Sequence, residues 1–132
     1  LENPSFTIPA PWETEALRIR EEHGVLAEVI LPQAQRKHAR AEARVSCLRD
    51  RWPEIRAGLA ARKLPTPAEV RRPLVAARAP HRLQDLNIQR SDAARVFRLA
   101  RDIRDRVTVL DLGFELGVLP GAIDDILDEA GV

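Results

Sequence analysis

The apolar residues of this 132-residue chain recur three and four positions apart, in short stretches separated by proline or glycine. That spacing places them on one face of an α-helix, whereas a half-buried strand would alternate apolar and polar residues. No window shows a run of alternating β-branched residues, so no sheet is expected. We therefore predict an all-α fold, a compact multi-helix bundle with one core.

Helix boundaries near the start are predicted from proline and glycine. Three prolines lie close to the first residue: Pro4, Pro9 and Pro11. Because proline restricts both its own backbone and that of the residue before it, residues 1–11 should form an extended linker. Residues 12–132 should then form a single helical domain. Its first helix should run over residues 12–23 and stop at Gly24.

The next segments also carry boundary signals. Pro32 should lie in the first turn of a long amphipathic helix that ends near Trp52. Its basic side chains should point largely outward: Arg36, Lys37, Arg40, Arg44 and Arg51. Pro53 should begin the following helix, and Thr66 should cap the one after it, in which Pro73 predicts an early end or a kink.

In the last third, the segment APHRLQDLNIQR should be a loop that tucks three side chains against the core: Leu83, Leu86 and Ile88. Ser91 should cap a helix whose apolar stripe reaches Val107. Thr108 should cap a further helix that Gly117 closes, and Pro120 should open the last amphipathic helix.

The formal net charge is only +1, but the charges are unevenly distributed. Residues 1–32 hold two basic and six acidic side chains, residues 33–108 hold 19 and eight, and residues 109–132 hold none and six. A basic middle between acidic ends indicates internal charge pairing first, and a surface for nucleic acid only second.

Three features of the sequence bear on the cellular location and the origin of the chain. No stretch is long and apolar enough to span a membrane, and the first residues lack the order of a signal peptide, so a cytoplasmic location is expected. The single Cys47 has no disulfide partner and is typical of a small packing residue. The chain contains no Met, which suggests a processed product or a domain cut from a longer protein.

Two segments resemble a known family: RWPEIRAGLAARKLPTPAEVRRPLVAARAP and LNIQRSDAARVFRLARDIRDRVTVLDLGFELGVL. The first has a tryptophan followed by an isoleucine and leucine pair, and then an LP break. The second has a capped helix followed by ARDIRDRVTVLDL and ELGVL. In this order the features resemble the end of the sn-glycerol-1-phosphate dehydrogenase family, which is iron-containing alcohol dehydrogenase-like, and the similarity covers about residues 40–120.

The resemblance implies that the chain is the C-terminal helical portion of a larger two-domain protein, part of a dehydroquinate synthase/iron-alcohol-dehydrogenase-like C-terminal domain. The N-terminal Rossmann-like domain of the parent would bind NAD(P). An Asp and two His ligands would hold a divalent metal, Zn, Ni or Fe, that polarises the substrate oxygen during hydride transfer. The intact parent would reduce dihydroxyacetone phosphate to glycerol phosphate.

Those metal ligands lie earlier in the parent than any residue of this chain. The resemblance therefore assigns no catalytic, cofactor-binding or metal residue here, and the chain alone is expected to be inactive. Its expected partners are the Rossmann-like domain of the same parent and further copies in a homo-oligomer, without nucleic acid or membrane. When it is separated from its partner domain, the chain should expose an apolar patch that promotes self-association.

The histidines and paired carboxylates of this chain form no catalytic or metal-ligating group in the sequence. Three histidines are isolated along the chain: His23, His38 and His81. Glu42 follows His38 at helical spacing, but a helical contact is favoured over a metal site. Asp124 and Asp125 diverge by about 100° on a helix and are typical of a solvated face.

Three arginines are the candidate phosphate contacts: Arg101, Arg104 and Arg106. Guanidinium groups suit phosphate binding, and the substrate implied by the resemblance is a phosphoester. Asp102 and Asp105 lie beside these arginines, however, so structural pairing is favoured over phosphate contact.

Two alternatives belong to another class of protein. Residues 109–130 have the spacing of a helix-turn-helix, but its second helix would present four acids and no base to the phosphate backbone of DNA. The chain could instead be a free-standing helical interaction module whose basic middle docks an acidic partner or RNA. An aromatic content of 4% leaves few side chains on which RNA bases could stack.

Overall fold

The computed structural model describes residues 3–130. It contains eight α-helices: α1 (Trp12–His23), α2 (Ala27–His38), α3 (Ala41–Asp50), α4 (Trp52–Ala61), α5 (Pro67–Ala76), α6 (Arg90–Leu99), α7 (Val109–Glu115) and α8 (Ile123–Glu129). Short 3₁₀ turns occupy Gly24–Leu26 and Gln84–Leu86. Residues 3–130 contain no strand, so the predicted all-α bundle is confirmed for this part of the chain. None of its helices is both long and apolar enough to cross a bilayer.

Several predicted helix ends are confirmed. Gly24 ends α1 with a φ of +54°, and its amide donates to the carbonyl of Arg20. Pro53 lies in the first turn of α4, where its missing amide donor costs no helical hydrogen bond. Thr66 and Thr108 cap α5 and α7, each in a capping box with the acid three residues later.

The single long helix predicted from Pro32 to Trp52 is wrong. α2 begins at Ala27 and contains Pro32 in its interior, and the chain turns at Ala39 and Arg40 before α3. The Arg40 amide bonds to the Lys37 carbonyl at 3.2 Å, so α2 closes with a tighter turn than an α-helical one. Burial of the side chains around the proline offsets its missing hydrogen bond.

The boundaries predicted for α6 and α8 are also wrong. α6 follows Gln89 rather than a capping Ser91, and it ends at Leu99 instead of continuing to Val107. Beyond Leu99 the buried Asp102 forms ion pairs with α1, and these long-range contacts override the helical pattern. α8 begins at Ile123, three residues after Pro120.

The prediction of one core is wrong, because buried apolar side chains of residues 3–130 form two separate clusters. The first joins α1 to α2 through six buried side chains: Ala16, Ile19, Ala27, Ile30, Leu31 and Ala34. The second joins α6 to the α7–α8 region through Ala93, Leu119, Ile123 and Leu127. Leu83 packs against the second cluster as expected, but Leu86 is 56% exposed, because it lies on the outer side of a 3₁₀ turn. α5 buries none of its side chains.

Residues 3–11 contain no helix, and they lie against the end of α7. The Ser5 amide donates to the Leu116 carbonyl at 3.3 Å, and the Thr7 amide donates to the Glu115 carbonyl at 2.7 Å. Gly117 has a φ of +70°, and a Cβ atom added to it would overlap the hydroxyl oxygen of Ser5. Glycine is therefore required both to end α7 and to admit the amino-terminal segment.

Candidate functional site

A cleft of about 490 Å³ opens between residues 5–10, α1 and the α6–α7 region. Its walls carry apolar side chains and six charged ones: Glu15, Arg18, Glu22, Arg98, Arg101 and Glu115. We call it the charged cleft. Four of these six side chains form ion pairs within the protein: Glu15, Arg18, Arg101 and Glu115.

One buried ion pair joins α2 to α7. Lys37 Nζ lies 2.8 Å from Asp111 Oδ1, and both side chains are less than 10% exposed. Lys37 Nζ also donates to the carbonyl of Arg101. Asp111 accepts the Thr108 amide at 2.7 Å through its other oxygen, so one carboxylate both caps α7 and neutralises a buried lysine.

A second pair joins α3 to α7. Arg44 Nε lies 2.9 Å from both carboxylate oxygens of Glu115, and Arg44 Nη2 donates to the same group. Lys37 is buried and Arg44 is mostly so, and the prediction that they point outward is wrong. The physical reason is that Asp111 and Glu115, four residues apart on α7, present two carboxylates to α2 and α3.

A third group joins α1 to the turn after α6. Asp102 accepts two hydrogen bonds from Arg18, at 2.9 and 3.1 Å, and lies 3.0 Å from His23 Nε2. Burial alone would raise the pKa of Asp102, but the hydrogen bonds from Arg18 and His23 outweigh it, and the pKa is lowered below its usual value. The three groups together form what we call the buried charge network.

The lowered pKa of Asp102 makes stability depend on pH. The unfolded chain binds a proton at this carboxylate more readily than the folded one does, so the stabilisation is present above the unfolded pKa and is lost as the pH falls through the folded pKa. We expect the free energy of unfolding to fall below about pH 4, and to fall less steeply in Asp102→Asn. Urea denaturation at a series of pH values measures both slopes.

The matched control for this pH experiment is Asp50→Asn, because Asp50 is an exposed aspartate at the end of α3. This variant should keep the slope of the unmodified protein. An unchanged acid slope in Asp102→Asn would contradict the assignment of the pH dependence to Asp102.

The three candidate phosphate contacts do not form one site. Arg101 lines the charged cleft, where its guanidinium lies 4.2 Å from the centre of the Phe114 ring and 3.4 Å from Glu15. Arg104 and Arg106 are exposed in the bend between α6 and α7, and neither lines the charged cleft. Arg98, which sequence reasoning did not select, lines the cleft beside Arg101.

The histidines are engaged in structural contacts. His38 Nε2 lies 2.7 Å from the Ala10 carbonyl, and the His38 ring packs on Trp12. His81 Nδ1 lies 3.1 Å from the Ala79 carbonyl. Across residues 3–130, no three His, Cys, Asp or Glu side chains are grouped as metal ligands. Cys47 is exposed, so its prediction as a packing residue is wrong; it lies on the outer face of α3.

Comparison with protein families, with curated proteins and with solved structures finds no match to this chain. What the charged cleft and the buried charge network can do is therefore derived from their geometry. Each buried carboxylate is neutralised by a cation from another helix, which suits it to fixing helix positions. The exposed Arg98 and the largely buried Arg101 line the charged cleft beside apolar walls, and this arrangement suits contact with an anionic group.

Proposed function

We propose that this chain is the C-terminal helical scaffold of an NAD(P)- and metal-dependent oxidoreductase of the sn-glycerol-1-phosphate dehydrogenase-like type. The intact parent reduces dihydroxyacetone phosphate to glycerol phosphate in the cytoplasm. The chain belongs, in this proposal, to a dehydroquinate synthase/iron-alcohol-dehydrogenase-like C-terminal domain. Its task is to hold the charged cleft towards the Rossmann-like domain, with Arg101 as the candidate phosphate contact.

One observation carries the proposal. The segment ARDIRDRVTVLDLGFELGVL, on which the resemblance depends most, supplies all three central carboxylates of the buried charge network. Asp102 pairs with α1, Asp111 with α2 and Glu115 with α3, so this one segment fixes the first three helices. This supports a scaffold role, because the residues that carry the resemblance are the ones that hold the helices in position.

The histidine and carboxylate side chains of this chain are not placed to bind the metal or the nicotinamide cofactor of the proposed parent. His23 is bonded to Asp102, and His38 is bonded to a backbone carbonyl. The buried carboxylates are neutralised by arginine or lysine, and a metal would have to displace those cations. The metal and NAD(P) are therefore assigned to earlier parts of the parent.

The test compares two proteins. The product of the complete open reading frame should oxidise NADH or NADPH when dihydroxyacetone phosphate and Zn²⁺, Ni²⁺ or Fe²⁺ are supplied, which the nicotinamide absorbance reports. The 132-residue chain alone should show no turnover above background under the same conditions, because it lacks the ligands described above.

Two controls make the result decisive. The full-length product should lose turnover when a chelator removes the metal, and it should regain turnover when metal is restored. The proposal is wrong if the complete reading frame encodes no nucleotide-binding half. It is also wrong if the isolated chain turns over the substrate and His38→Ala leaves that turnover intact.

A further inference from the structure

Residues 62–78, which we call the basic arm, are almost entirely exposed. The arm holds five basic side chains and one acidic one: Arg62, Lys63, Arg71, Arg72 and Arg78, with Glu69. Every residue of the arm is exposed except the half-buried Arg71. A capping box stabilises the start of its helix, α5, yet none of the α5 side chains is buried. A helix that forms without burying any side chain leaves its apolar face available to a partner.

That apolar face borders a groove. Val70 is 52% exposed and Leu74 is 39% exposed, and the two lie four residues apart on one side of α5. With Pro65, Pro67 and His81 they line a hollow of about 350 Å³ that ends at Ala130. Arg71 Nη2 donates to the Ala130 carbonyl, so the groove runs up to the C-terminal end of α8.

α8 presents the opposite charge. Arg90 pairs with Asp124 at 3.3 Å and with Asp128 at 2.9 Å. Asp125 and Glu129, four residues apart and exposed, are not engaged in any ion pair seen between residues 3 and 130. Ile126 is 36% exposed next to them. We call these three residues, Asp125, Ile126 and Glu129, the acidic ridge.

We infer that the basic arm of one copy of this chain docks on the acidic ridge of a second copy, with Ile126 entering the groove beside Val70 and Leu74. The arm and the ridge adjoin each other, so their joint surface is self-complementary about a twofold axis, and each dimer contains the contact twice. Opposite charges set the register, and apolar burial adds affinity. The inference does not depend on the proposed function.

A nucleic acid fits this surface less well than a second copy does. Residues 62–78 contain no aromatic side chain on which an unpaired base could stack. The exposed apolar residues of the arm would also stay in water against a phosphate backbone. A second copy, with the apolar Ile126 beside the acids Asp125 and Glu129, matches both the charge of the arm and the apolar groove.

The test uses charge reversal on each half of the contact. Lys63→Glu with Arg78→Glu takes the net charge of the arm from +4 to zero, and Asp125→Arg with Glu129→Arg makes the ridge basic. Analytical ultracentrifugation at low salt should find a dimer for the unmodified chain. Each double variant should weaken the dimer at least about tenfold, because the arm variant removes the attraction to the ridge and the ridge variant sets basic side chains against a basic arm. An equimolar mixture of the two variants should restore the dimer. The reversed arm then meets the reversed ridge in one contact, and the unmodified arm meets the unmodified ridge in the other.

Arg36→Glu with Arg40→Glu is the matched control. It makes the same change in charge at exposed positions outside the arm, and it should leave the dimer intact. Circular dichroism establishes that every variant is folded. The inference is overturned if the unmodified chain is a monomer at high concentration, if the reversals leave the dimer unchanged, or if the mixture stays monomeric. It is also overturned if a single-stranded oligonucleotide binds a monomer through the arm and the arm variant abolishes that binding.

Discussion

Replacing Asp111 with alanine should lower the free energy of unfolding by about 3–5 kcal/mol, which is the cost of leaving a buried charge without its partner. Lys37 Nζ lies 2.8 Å from Asp111 Oδ1, and the lysine side chain is only 8% exposed. Without the carboxylate, the ammonium group of Lys37 keeps only its hydrogen bond to the Arg101 carbonyl. The same substitution removes the acceptor of the Thr108 amide, and so half of the α7 capping box is lost as well. Urea denaturation followed by circular dichroism measures the change.

Two further variants separate the causes of this loss. Asp50→Ala removes an exposed aspartate and should change the stability by no more than about 0.5 kcal/mol. Asp111→Asn combined with Lys37→Met should be more stable than Asp111→Asn alone, because the unpaired lysine is then gone. If Asp111→Ala were as mild as Asp50→Ala, the buried charge network would not stabilise the fold.

Ile19→Ala should cost about 2–5 kcal/mol, because the methyl groups removed from a close-packed interior leave a cavity. Ile19 is 1% exposed and is surrounded by the apolar cluster that joins α1 to α2. Since α1 also supplies Arg18 to Asp102, loosening α1 should weaken both kinds of contact. The shift of the urea midpoint at an unchanged slope measures the loss.

Leu17→Ala is the matched control for Ile19→Ala. Leu17 lies two residues away on the same helix and is 56% exposed, so its replacement should change the stability by no more than about 1 kcal/mol. Equal losses in the two variants would show that α1 does not pack through Ile19. A larger loss in Leu17→Ala would place the core on the other face of the helix.

Local signals predicted much of the fold. Gly24 and Gly117 were predicted as helix stops, and both have positive φ. Thr66 and Thr108 were predicted as caps, and each hydroxyl accepts an amide three residues later. These features succeed because they depend on residues within one turn of each other, where steric and hydrogen-bonding rules are independent of the rest of the chain.

The buried charges could not be predicted in the same way. Lys37 and Arg44 were assigned to the outer side of a basic helix, although their partners are Asp111 and Glu115. Arg44 and Glu115 are separated by 71 positions, and helical periodicity contains no information on contacts at that distance. The available signal was weak: two acids four residues apart, among the leucines of α7.

The candidate site was predicted only in part, because its long-range contacts also leave no local signal in the sequence. Arg101 was selected because guanidinium groups suit phosphates, and it does line the charged cleft. Asp102 was expected to neutralise its arginine neighbours, but its closest contacts are to Arg18 and His23 on α1. This also explains why α6 stops early: the turn that delivers Asp102 to α1 cannot be part of a continuing helix.

Gly117 connects two parts of the molecule that are distant in sequence. Its left-handed backbone ends α7, and the missing side chain leaves the space in which Ser5 lies. A larger residue at this position would have to displace the Ser5 side chain, and Ser5 and Gly117 both line the charged cleft. Position 117 therefore affects both the end of α7 and the width of the charged cleft.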